Sequence, residues 1–159
     1  MWGGFEIWIN NAKFGDTFYF DLISGNNYEL IKRLAFDEVP AYPFKEYRNA
    51  QAELEEIFSN YYNSKVERTL KEQAEWSTYW GRFILSPNGT IPFDKSRLAY
   101  FGDAETVTFL YKTLESNEKN EFTIETEAVK SIAKRFLVIH DEILSGKRQV
   151  ELVAKDNLQ

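Results

Sequence analysis

The sequence contains no cysteine and a single histidine, His140, among 159 residues. No disulfide framework can brace the fold, and no thiolate can serve as nucleophile or metal ligand. Most catalytic strategies draw on imidazole, thiolate or a metal that they hold, so little of that chemistry is open to this chain. Phosphate cradles are missing as well. Trp2-Gly3-Gly4-Phe5 does not lie between a strand and a helix, and no stretch matches a P-loop, a dinucleotide fingerprint or a Gly-x-Ser-x-Gly elbow. No window approaches the ~18 uninterrupted apolar residues of a membrane span. Met1 to Glu6 has no Lys or Arg ahead of its short apolar run, unlike a secretory signal. Internal repeats, low-complexity tracts and linkers are also lacking. One soluble, cytoplasmic domain is expected, without cofactor or metal.

What the chain has in quantity is aromatic surface and carboxylate: 13 Phe, 9 Tyr and 4 Trp, with a net charge of −6. That charge argues against direct nucleic-acid binding, where a basic face supplies most of the affinity. It is unevenly spread. Residues 1–60 carry ten acids against five bases, and 103–127 carry seven against two. If these two stretches meet in space they form a negative face able to steer a basic partner; otherwise they are solvated surface.

The pattern reads as α+β, with two short antiparallel hairpins (about 5–23 and 82–93) packed against four or five helices. Phe5–Ile9 and Thr17–Ile23 are rich in β-branched and aromatic residues, with Asn10-Asn11 and Gly15-Asp16 between them. Arg82 to Phe93 encloses Asn88-Gly89, a pair suited to tight hairpin turns. Helical spacing runs from Tyr28 to about Glu38. From Tyr47 through Ala50, Leu54 and Ile57 to Tyr61 it narrows to a seam that leaves Glu53, Glu55 and Glu56 facing solvent. The seam suits a helical hairpin, or a homodimer. The apolar spacing then drifts to Tyr62, Val66 and Leu70, consistent with a second helix capped by Ser64. Asp103 reads as an N-cap followed by Val107, Leu110, Tyr111 and Leu114, although their Thr and Val neighbours also suit a strand. Residues 116–121 read as a polar loop. A long amphipathic helix from about Glu125 to Leu144 ends at Ser145-Gly146, and Gln149 to Val153 suits a last short strand.

His140 lies beside the apolar stripe of that last helix, before Asp141-Glu142. Neighbours on a helix point about 100° apart, so the three do not converge on one ion, and a histidine packed near Phe136 and Leu144 is expected. A carboxylate-dependent hydrolase would draw on Asp16 and Asp21, or Asp37 and Glu38, but none shows a characteristic spacing. Trp76, Tyr79 and Trp80, with Tyr61 and Tyr62, either fill the core or form a binding surface.

Small, acidic, aromatic-rich, cysteine-free and α+β, the chain resembles in make-up the bacterial immunity proteins and phage-encoded inhibitors of host defence. That resemblance implies a non-catalytic module that neutralises a basic protein partner, such as a nuclease or nucleic-acid-binding complex. It transfers no residue. The residues expected at the contact are Glu53, Glu55 and Glu56 with Tyr61, Tyr62, Trp76 and Trp80, or the acidic Glu118 and Glu121. The alternative is a small-molecule domain with an aromatic pocket.

Overall fold

The computed structural model describes residues 2–9, 12–22, 28–46, 49–62, 67–85, 96–113 and 119–148. In order these form β1 (Trp2–Ile9), β2 (Ala12–Leu22), α1 (Tyr28–Phe36), α2 (Ala50–Tyr62), α3 (Leu70–Gly81), β3 (Ser96–Gly102), β4 (Thr106–Thr113), β5 (Lys119–Glu125) and α4 (Thr126–Leu144). The fold is α+β. β1 and β2 pair antiparallel from Ile9↔Ala12 outward, with a register shift between Gly3 and Phe5; Gly15 and Asp16, expected in the connection between the strands, are paired within β2 instead. No described helix is long and apolar enough to cross a membrane.

β3, β4 and β5 form a separate antiparallel sheet in that order. Pleating sends alternate side chains to opposite faces. Val107, Phe109 and Tyr111 of β4 join Leu98 and Tyr100 of β3 on one face, against Leu30, Ile31 and Ala35 of α1 and Ala133 and Leu137 of α4. Leu110, Ala99 and Phe101 point the other way, onto Leu54, Ile57 and Phe58 of α2 and onto Trp80 and Phe83. The sheet is thus covered on both faces, and α3 lies against α2.

Double coverage explains two departures from expectation. The stretch expected as a helix from Asp103 is strand β4. In a strand buried on both faces, apolar residues run nearly continuously, and Val107, Leu110 and Tyr111 mimic helical spacing by coincidence. Asp103 caps a turn instead: its Oδ1 accepts from the N–H groups of Glu105 at 2.8 Å and Thr106 at 2.9 Å, closing the β3–β4 connection. Gly102 sits in that connection because a Cβ there would lie 2.0 Å from the Thr106 carbonyl oxygen. β3, with Leu98 to Phe101 all buried, carries no alternation that a sequence reader can use.

Of the hairpin expected at 82–93, only residues 82–85 are described. Residues 83–85 lie along β3: Leu85 N–H donates to Leu98 O, and Tyr100 N–H to Phe83 O, both at 2.8 Å. Residues 86–93 lie outside the described residues, as do Ser64, Tyr47 and the strand expected at 149–153. The polar loop expected at 116–121 gives way, over 119–121, to the first residues of β5.

Local capping fixes the helix ends. α3 starts at Thr69, whose hydroxyl accepts from Glu72 N–H while Glu72 returns a carboxylate to Thr69 N–H, a capping box. Asn49 Oδ1 accepts from Ala52 N–H at 2.9 Å at the start of α2. α4 ends in a Schellman turn: Gly146, at φ 71°, lets Gly146 N–H reach Ile143 O and Lys147 N–H reach Glu142 O.

Candidate interaction surface

The α2 carboxylates occupy three different environments. Glu53, expected to face solvent, is buried at 1% exposure and receives the Tyr42 hydroxyl. The apolar stripe is wider than the narrow seam: Ala50, Glu53, Leu54, Ile57, Phe58 and Tyr61 follow three-four spacing on one side, and Glu53 falls inside it. Glu55 accepts from Arg97 at 2.6 Å, with both side chains partly exposed, and Glu56 is half-buried. Glu121 is exposed on β5, and Glu118 lies outside the described residues.

The aromatic residues do come together. Tyr61 and Tyr62 meet edge-to-face at 4.8 Å, and the Trp76 and Trp80 rings lie tilted at 5.9 Å. Along α3, Gln73, Trp76, Ser77 and Trp80 form the inward stripe, and of these only Trp80 is buried. Trp76 Nε1 donates to Asn60 O at 2.6 Å, tying α3 to α2, and Gly81 passes so close to Tyr61 that a Cβ would sit 3.2 Å from its ring. Trp80 is therefore core, while Trp76 packs at the seam. Leu70, expected on the apolar face, is 93% exposed. Arginines cover the outer rings, with Arg68 4.2 Å from the Trp76 centroid and Arg82 4.5 Å from that of Tyr79.

One segment of each acidic stretch is brought to one end of the layered structure. Gly102 N–H donates to Pro40 O at 3.0 Å, which brings the segment after α1 against the β3–β4 turn. Thr126 N–H donates to Glu105 O at 2.9 Å and its hydroxyl to Asp103 O at 3.0 Å, which brings the start of α4 to the same turn. Asp37, Glu38, Asp103, Glu105, Glu125 and Glu127 are carried there, all exposed. The two N–H groups received by Asp103, from Thr106 first and then Glu105, hold its carboxyl below the usual range. Sequence charge counting pointed to the two stretches; their meeting place depends on the sheet order.

Beneath this end a small surface recess is lined by Arg33, Asp37, Tyr100, Thr126 and Lys130 among others. Arg33 is committed to structure, donating at 2.6 Å to Arg82 O just past the end of α3. Burial pushes the Tyr100 hydroxyl up, opposed by Arg33.

His140 is 4% exposed, stacked on Phe136 and 4.8 Å from the Tyr28 ring, and its Nδ1 lies 3.3 Å from Asp141 Oδ1. The imidazole is packed between Tyr28 of α1 and Phe136 of α4. Among the described residues, no three His, Asp or Glu side chains converge on a possible metal position. No protein-family profile, curated protein or solved structure matches this chain.

Proposed function

We propose that this protein is a non-catalytic binding module that neutralises or regulates a basic protein partner by occlusion, acting in the cytoplasm in the manner of immunity proteins and anti-defence inhibitors. A nuclease or nucleic-acid-binding complex is the class of partner whose working surface has the required charge. The observation that carries the reading is the convergence of Asp37, Glu38, Asp103, Glu105, Glu125 and Glu127 at one end of the layered structure. Clustered exposed carboxylates steer a basic partner and raise its association rate. The half-exposed rings of Tyr62 and Tyr79 supply apolar anchors of the kind that dominate interface energies. The acidic part of the contact moves away from the α2 carboxylates, because Glu53 is buried and Glu55 meets Arg97.

Capture from host lysate at low and at physiological salt, read by mass spectrometry, tests the reading. A stoichiometric basic protein is expected. Replacing Glu38, Glu105 and Glu127 together by Lys should slow its association by about tenfold or more and flatten the salt dependence. Unchanged association of that triple variant would move the contact elsewhere, and capture of no basic protein at either salt would remove the reading.

A further inference from the structure

The two edges of the three-stranded sheet are treated differently. The outer edge of β3 is met by the chain itself, through Leu85 N–H to Leu98 O and Tyr100 N–H to Phe83 O. β5 lies at the other edge, and among the described strands β4 is its one neighbour. An edge strand presents a row of backbone donors and acceptors to any extended chain that can reach it.

β5 also has two unlike faces. Glu121, Thr123 and Glu125 are exposed, while Phe122 and Ile124 are half-buried against the core shared with α1 and α4. Its last residue, Glu125, leads into Thr126, which is hydrogen-bonded to the Asp103–Glu105 turn, so the strand runs into the carboxylate-rich end. A strand laid beside β5 would set alternate side chains next to Glu121, Thr123 and Glu125, and the others next to Phe122 and Ile124. A matching segment therefore alternates basic with apolar residues. Two copies of this chain, each at −6, meet with like charge, so a basic segment suits the edge better than a second copy.

We infer that the outer edge of β5 docks an extended segment of the partner, which adds to the sheet as a further strand with Lys or Arg at alternate positions. This rests on the reading of the protein as a module for a basic partner and specifies how that partner is held.

The test uses the full chain and two acetylated, amidated peptides of the same composition and charge: Thr-Lys-Val-Lys-Val-Lys-Thr, and the non-alternating Val-Val-Lys-Thr-Thr-Lys-Lys. Hydrogen exchange at the β5 amides should slow with the alternating peptide, which should bind about tenfold or more tightly than its scramble. The double variant Glu121→Lys with Glu125→Lys should lose about tenfold or more of that affinity, and Glu121→Gln with Glu125→Gln an intermediate amount. Equal binding of both peptides, or protection confined to other elements, overturns the edge assignment while basic recognition stands. Self-association that protects β5 without peptide overturns it as well, in favour of a second copy. Absence of binding by either peptide overturns it too, and the functional reading falls with it only if lysate capture also recovers no basic protein.

Discussion

The two sides of the β3–β5 sheet are built differently. On the α1/α4 side the core is mainly aliphatic, with Leu30, Ile31, Leu98, Val107 and Leu137 closing over Tyr100, Phe109 and Tyr111. On the other side, among the described elements, α2 lies on the strands, and α3 attaches through rings: Trp80 against Phe83 at 5.8 Å and Phe44 at 6.3 Å, and Tyr79 against Phe83 at 5.6 Å. Only Trp80 of α3 is buried. Two amphipathic helices can cover a sheet face with ordinary aliphatic stripes. One helix plus an outlying partner is joined here by large rings, and the buried Glu53 of α2 is met by the hydroxyl of Tyr42, which packs on Phe44 and Phe101.

The comparison breaks most readily at Phe83, which is fully buried where residues 83–85, α3 and β3 meet. Phe83→Ala should destabilise the protein by about 3–5 kcal/mol in urea unfolding followed by circular dichroism. A loss below about 1 kcal/mol would mean that the aromatic side is not a packed core. Next in size is Tyr42→Phe, which removes a hydroxyl donor from the buried Glu53 carboxylate and should cost about 1–3 kcal/mol by the same measurement. An unchanged midpoint would assign the satisfaction of Glu53 to its other contacts.

The smallest effect concerns α3, which depends on its cap because it buries so little. Thr69→Ala should cost about 1 kcal/mol and raise amide exchange over 70–81 more than over α4. Its cost should also depend on pH. Thr69 N–H, and then its hydroxyl, hold the Glu72 carboxyl below its ordinary range. A carboxyl with a depressed folded pKa contributes stability above its unfolded value, and loses it as pH falls through the folded value. The gap in Tm between wild type and Thr69→Ala should therefore be full at neutral pH and shrink in strong acid. A gap that stays constant would detach Glu72 from the cap.

Several elements were legible because their signals are local. α4 was expected from about Glu125 to Leu144 and runs from Thr126 to Leu144, since nineteen residues of 3.6-period apolar spacing end at a glycine that can take positive φ. The packing of His140 against Phe136 followed from the same stripe. The meeting of Trp76 with Trp80 was within reach too, because residues four apart share a helix face. The burial of Glu53 was not. Nothing in its spacing announces that Tyr42, eleven residues earlier, will supply a hydroxyl.

The sequence by itself determined the composition limits, the uneven charge, the helical period of α1 and α4 and the glycine that ends α4, all of which act over a few residues. Tertiary structure decided that residues 106–113 are a strand, that 83–85 lie along β3, and that Asp37 and Glu38 share an end with Asp103, Glu105, Glu125 and Glu127. The physical reason is the same in each case. A short apolar run adopts whichever period its neighbours complete, and a charge acquires its surroundings from the strand order, so both outcomes are set by contacts between residues far apart in the chain.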